Sequence, residues 1–289
     1  MSPYATGGGG VTFERKVAVN YLAKMLTGSG AAELGGGRFI SSVSFQQAPD
    51  HAVDDLVVRA QRGDESDPSL VLALAIRREP LLIKSDEKAR KLIGTLLSDL
   101  GRNLGTDVDH FVGLVVAGPQ PHASQLAELS GIARGQSNHE AFFALIQEPK
   151  RFDRNLRQRL EHVQVLVRLA LQDAADGVTP EAATVSERTW FLLSRLQVLM
   201  PRYESPDESD WAYITNDLIE VANGKDLSGA NQLRDRLGAL AAEYAPIAGV
   251  INIDLLRRDA HDVLASTTRR HETAWQLLNG LHQRAVGAV

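Results

Sequence analysis

Apolar and polar residues along the first 117 positions alternate in a way that predicts a mixed helix and strand unit. From Thr12 to Met25 an apolar residue recurs every fourth position, which is typical of an amphipathic helix. The stretch 69–77 is almost uninterrupted in its apolar character and lies between two turn signals, which indicates a strand buried on both faces. The predicted order is a helix at 12–25, strands at 38–47, 53–60 and 69–77, a helix at 85–104 capped by Ser85, and a strand at 111–117.

After Gly118 the spacing of apolar residues is helical, apart from a short edge strand indicated near residue 252. Helices are predicted at 122–134, 138–147, 153–175, 186–200, 208–223, 229–244, 255–264 and 267–286. The fold class is therefore predicted as α+β or α/β, with a small mixed sheet in an α/β core over residues 1–120 and a helical region over 121–289. The polar stretch 173–186 is a possible boundary within the helical region.

Composition narrows the class of protein. Hydrophobic residues make up 44% of 289 positions, which is enough to build a core, and no run approaches the roughly 18 apolar residues that span a bilayer. The N-terminus lacks the basic and apolar stretches of a signal peptide. We therefore expect a soluble cytoplasmic protein that does not contact a membrane. The chain has no cysteine, so any metal would need carboxylate or histidine ligands.

Two acidic residues, Asp54 and Asp55, open the second predicted strand. A divalent metal ion such as Mg²⁺ needs clustered oxygen ligands, and the ends of adjacent strands supply such clusters. Successive side chains of a strand point to opposite faces, so only one of the two can serve, and we favour Asp55. The alternative is a pair of acids exposed at a turn.

The third predicted strand ends in Ala75-Ile76-Arg77, followed by Arg78. An arginine stays protonated near neutral pH, so Arg77 or Arg78 could face a phosphate and stabilise charge but could not act as a base. Glu79 could enter such a site only if the strand bulges. The alternative is that both arginines mark the point where a strand enters solvent.

A basic stretch follows in the helical region, where Lys150, Arg151, Arg154, Arg157 and Arg159 fall within ten residues. Contacts to nucleic-acid phosphates need such local density, although the net charge of −5 gives no global attraction to nucleic acid. The first four of these residues, together with Arg78, are the candidate nucleic-acid contacts. The alternative is a solvated helix face.

Several stretches, GGGG, TFERKVAVNYLAKMLTG, VSFQQAP, DHAVDDLVV and LVLALAIRR, resemble the N-terminal double-stranded DNA endonuclease domains of bacterial anti-phage effectors. These are Cap-type nucleases of the PD-(D/E)XK superfamily, which have a restriction-endonuclease-like core. The resemblance implies that Glu14 and Asp55, or Asp54 in place of Asp55, form the catalytic site with Arg77, and that Glu14 and Asp55 bind Mg²⁺ or Mn²⁺. The sequence departs from the family pattern at Ala75, where an acidic residue or glutamine is usual, and at Arg77, which replaces lysine.

The resemblance also implies partners: double-stranded DNA, a second copy of the chain, and a fused or associated NTPase or sensor module. Three hypotheses follow. The first is a metal-dependent endonuclease acting in anti-phage defence. The second is a catalytically degenerate nuclease-like domain that binds DNA or serves as a protein-interaction or oligomerisation module. The third is a helical protein-interaction scaffold in which the sheet has no role of its own.

Overall fold

The first half of the chain follows the order of elements that its apolar spacing predicts. The computed structural model describes residues 8–47, 50–53, 55–62, 69–105, 108–204, 209–222 and 227–263. Its first elements are α1 (Gly8–Thr27), β1 (Arg38–Phe45), β2 (Leu56–Arg62), β3 (Leu70–Ile76), α2 (Glu87–Arg102) and β4 (Asp109–Val115). Every residue of β3 is buried, as its uninterrupted apolar character indicates. The cap of α2 is Asp86 rather than Ser85, since the Asp86 carboxylate accepts a hydrogen bond from the Lys88 backbone N–H.

The second half is mainly helical but is not purely so. Its elements are α3 (Pro121–Arg134), α4 (His139–Gln147), α5 (Arg154–Ala174), α6 (Ala182–Arg195), β5 (Leu196–Leu199), α7 (Ser209–Val221), α8 (Leu227–Tyr244), β6 (Val250–Asn252) and α9 (253–263). The prediction of a helix over 186–200 is wrong at its end, because Leu196 is extended and begins β5. The helix predicted at 267–286 lies outside the described residues.

Within the residues that the structure describes, the strands form one six-stranded mixed sheet in the order β5-β4-β3-β2-β1-β6. β1, β2 and β3 are antiparallel neighbours, β4 and β5 continue the sheet in parallel with β3, and β6 is antiparallel to β1. The predicted mixed sheet is confirmed, and the edge strand predicted near residue 252 is β6, whereas β5 at the other edge was not predicted. The division of the chain into domains at residue 120 stays a prediction.

Each face of the sheet carries its own hydrophobic core. Alternate residues of β3 point to opposite faces, so Leu72 and Leu74 pack against α1, α7 and α8, while Ala73 and Ala75 pack on the side of α2, α3, α5 and α6. Ala75, the position where the nuclease pattern has an acid, is thus part of an apolar core. Among the helices that the structure describes, none combines the length and hydrophobicity that a membrane crossing requires.

Candidate functional site

Three of the predicted site residues meet where β2 begins and β3 ends. Asp55 immediately precedes β2, and its Oδ2 accepts a hydrogen bond from the Ile76 backbone N–H at 2.7 Å. The same oxygen forms an ion pair with the Arg77 guanidinium. Glu14, on α1, lies close enough for both charges to act on its carboxyl group. Asp54, the fourth predicted member, lies outside the described residues.

The electrostatics of this carboxylate–arginine cluster, Glu14, Asp55 and Arg77, centre on Glu14. Although the Glu14 side chain keeps contact with solvent, partial burial and then the negative charge of Asp55 raise its pKa to about 7, against the opposing effect of Arg77. A carboxyl group with this pKa exchanges a proton near neutral pH. Glu14 can therefore take up or release a proton at this site.

Replacing Glu14 by glutamine is expected to flatten the pH dependence of stability between about pH 4.5 and 7. The folded chain binds this proton more tightly than the unfolded chain, so the stabilisation is complete below pH 4.5 and is lost as the pH rises through 7. Because solvent screens this side chain, we expect Glu14→Gln to exceed the parent in stability by only about 0.5–1 kcal/mol at a pH above 7.

Thermal unfolding of the parent and variant at about pH 5 and about pH 8 measures this effect. Glu140→Gln, at an exposed acid on α4, is the matched control. An equal pH response of Glu14→Gln and the parent would contradict the raised pKa.

A cavity of about 580 Å³ opens beside the cluster, between the end of β3 and the first turns of α2. We call it the Arg77 cavity. Its walls carry four cationic side chains, Arg77, Arg78, Lys88 and Lys91, against two acids, Glu79 and Asp86; the other lining residues are Pro80, Leu81, Ala89, Leu92 and Thr95. The N-terminus of α2, where a helix favours negative charge, lies at the same place.

Three of the four cationic side chains form ion pairs with acidic residues that do not line the cavity. Asp55 pairs with Arg77, Glu204 with Arg78 at 2.6 Å, and Glu87 with Lys91 at 2.7 Å. Both arginine side chains remain about half exposed, at 47%. They can therefore reach a ligand while their partners orient them.

Glu79 is not a displaced member of the acid cluster. The register of β3 with β2 and β4 runs without a shift, so the bulge that would bring Glu79 inward is not formed. Glu79 instead lines the Arg77 cavity.

The nucleic-acid contacts predicted for the basic stretch stay a prediction, and the structure gives several of these side chains partners within the protein. Arg151 pairs with the Glu148 carboxylate, and Arg157 donates to the Glu148 backbone carbonyl. Arg159 is buried at 4% exposure and donates to the Leu82 backbone carbonyl. Lys150 and Arg154 are exposed, which agrees with the alternative of a solvated helix surface.

Reasoning from the sequence missed a second group of polar residues, His51, Asp99 and His110, which lie together in the core on the α2 side of the sheet. His110 directly precedes the strand predicted at 111–117, but it is 5% exposed and belongs to β4. One signal could have found the group: Asp99 lies on the apolar face of α2 next to Leu96 and Leu100.

Comparisons with known proteins identify distant structural likeness only. No protein-family model matches the chain, and no curated protein matches it. Among solved structures, the Acinetobacter baumannii Cap4 SAVED/CARF-domain containing receptor is similar, with TM-score 0.49, 12% identity, and coverage of 94% of this chain and 50% of that one. The same receptor with the cyclic trinucleotide 3′3′3′-cAAA gives TM-score 0.48 and 13% identity, covering 94% of this chain and 48% of that one. The Moraxella osloensis Cap4 SAVED/CARF-domain containing receptor gives TM-score 0.43 and 14% identity, covering 92% of this chain and 49% of that one.

These comparisons correct the predicted family. The prediction of a PD-(D/E)XK nuclease domain is contradicted, because the similar structures are described as SAVED/CARF-domain containing receptors. The predicted hydrolysis of double-stranded DNA is wrong with it, as is the alternative of a degenerate nuclease that binds DNA. The chain spans about half the length of the structures that it resembles.

Proposed function

We propose that the chain is a binding domain for a phosphate-bearing nucleotide ligand, held in the Arg77 cavity. The observation that carries this proposal is the convergence of four cationic side chains on one cavity of about 580 Å³. Arginine matches the geometry of a phosphate with two parallel N–H donors, while lysine acts as a point charge on a flexible stem. Two of the cations come from the end of β3 and two from α2, so a ligand would touch both elements.

The carboxylate–arginine cluster has a supporting role in this proposal. Two carboxylates, Glu14 and Asp55, fit the oxygen preference of Mg²⁺ or Mn²⁺ and would hold such an ion, which would supply positive charge near a ligand phosphate. Arg77 already pairs with Asp55, so a metal ion would have to displace this ion pair or bind through Glu14 alone. We therefore expect the metal ion to strengthen ligand binding without being required for it.

Titration calorimetry tests the proposal. The first ligands to titrate are cyclic trinucleotides, since the Acinetobacter baumannii receptor was solved with two of them. A linear trinucleotide, ATP and inorganic phosphate follow, each with and without Mg²⁺. Saturable binding of a nucleotide in a one-to-one ratio is the expected result.

The variant that locates the site is Lys88→Ala/Lys91→Ala, which removes two cations from exposed positions on α2. Each hydrogen bond between charged groups contributes about 1.5–3 kcal/mol, so we expect the dissociation constant to rise at least about tenfold. Lys150→Ala/Arg154→Ala removes the same charge from an exposed surface elsewhere and should leave binding unchanged. Equal losses in both variants would mean non-specific attraction and would contradict the site.

Two finer predictions remain proposals beside this one. The order of helix, three strands, helix and strand, with β4 parallel to β3, supports a restriction-endonuclease-like core as a description of fold alone. The second of these predictions is that the chain associates with a second copy of itself, or with an NTPase or sensor module. Light scattering of the purified chain measures self-association directly.

A further inference from the structure

Three polar side chains from different elements meet in the core beneath α2. His51 lies in the turn before β2, Asp99 lies near the end of α2, and His110 lies in β4. Their exposed fractions are 5%, 0% and 5%. Burial of three ionisable groups is costly unless each one is paired or bound. Apolar packing alone therefore does not explain why these three side chains are buried together.

In this His–Asp–His cluster, the Asp99 carboxylate holds His110 more closely than it holds His51. Asp99 Oδ1 accepts the backbone N–H groups of Ala52 at 2.6 Å and Val53 at 3.3 Å, and its Oδ2 lies 2.7 Å from His110 Nε2. His51 Nδ1 lies 3.5 Å from Asp99 Oδ1 and makes no hydrogen bond within the described part of the chain. A buried nitrogen of this kind calls for an unseen partner.

We propose that the His–Asp–His cluster binds one transition-metal ion of the Zn²⁺ type. One donor atom from each of the three side chains lies within 4.8 Å of the others. Bonds of about 2.0–2.1 Å in a tetrahedral zinc site place neighbouring donors about 3.3 Å apart. The 3.5 Å between His51 Nδ1 and Asp99 Oδ1 already matches this separation.

The donor set selects the metal. Two imidazole nitrogens and one carboxylate oxygen suit Zn²⁺, whereas Mg²⁺ prefers oxygen ligands alone. The two rings lie nearly parallel, at 8°, with centroids 5.7 Å apart, so both flank the same carboxylate. Backbone N–H groups fix that carboxylate, as outer partners fix the ligands of metal sites.

The role of this site is structural. A metal ion would tie the turn at 50–53 to α2 and β4, and this turn leads directly to Asp55 in the carboxylate–arginine cluster. The site itself does not depend on the function proposed for the Arg77 cavity.

Metal content and affinity of the full chain test the inference. After dialysis against a chelator, titration with Zn²⁺ should show one tight equivalent, and elemental analysis should find one zinc per chain. His51→Ala removes a ligand and should weaken Zn²⁺ binding on the order of 100-fold. His261→Ala, at an exposed histidine on α9, is the control and should leave the affinity unchanged.

A second measurement keeps the inference testable if His51→Ala fails to fold. Co²⁺ added to the parent chain should give the intense visible absorption of a four-coordinate site, and one equivalent of Zn²⁺ should abolish it. The inference is overturned if the parent binds no metal ion tightly, or if His51→Ala and His261→Ala bind Zn²⁺ equally well. Either result would leave Asp99 as a hydrogen-bond acceptor only.

Discussion

Replacing Phe13 by alanine is expected to lower the free energy of unfolding by about 3–5 kcal/mol. Phe13 is 1% exposed and packs in the core between α1 and the sheet, with its ring 6.3 Å from that of Tyr203. Tyr203 in turn contacts Trp211 edge to face at 6.0 Å. Truncation removes the buried area of one ring and leaves a cavity beside the other two.

Urea unfolding followed by circular dichroism measures this change through the shift of the midpoint at constant slope. Phe39→Ala is the matched control, since Phe39 lies on β1 and is 49% exposed. We expect the control to change stability by no more than about 0.5 kcal/mol. Similar losses for the two variants would contradict the packing of α1 on the sheet, and with it the placement of Glu14.

Replacing Arg159 by alanine is expected to lower the free energy of unfolding by about 2–3 kcal/mol. The buried guanidinium donates to the Leu82 backbone carbonyl and to Gln125 Oε1 at 3.2 Å, and it also contacts His122 Nδ1. Burial lowers the pKa of this arginine but leaves it charged. Its loss removes the donor to the buried Leu82 carbonyl and opens a gap between α3 and α5.

Arg154→Ala is the matched control for this structural role. Arg154 is exposed on the same helix, so its replacement should change stability by less than about 0.5 kcal/mol. The same urea titration compares the two variants. If the two variants lower the free energy of unfolding by equally small amounts, the buried contacts of Arg159 do not stabilise the fold as expected.

Local sequence patterns account for the strands and helices of the first half. β3 could be predicted because a short apolar run between two turn signals is typical of a buried strand. β5 could not, because Leu196–Leu199 continues the helical spacing of α6. Its extended form depends on pairing with β4, which lies more than 80 residues earlier in the chain. Such pairing leaves no local signal in four residues.

The two polar clusters differ in the same way. Asp55 and Arg77 could be predicted to meet because both stand at the ends of neighbouring strands. His51, Asp99 and His110 come from a turn, a helix and a strand, and their spacing along the chain follows no metal-binding motif. In the sequence, Lys88 and Lys91 have the character of an ordinary solvated helix face. Only the folded structure shows that they line a cavity with residues from the end of β3.

A crystal structure of the chain with the nucleotide that binds most tightly tests the central claim most directly. We expect density for the ligand in the Arg77 cavity, with phosphate oxygens within about 2.7–3.2 Å of nitrogens from both Arg78 and Lys88. A ligand bound with full occupancy at another surface, with the cavity unchanged, would contradict it.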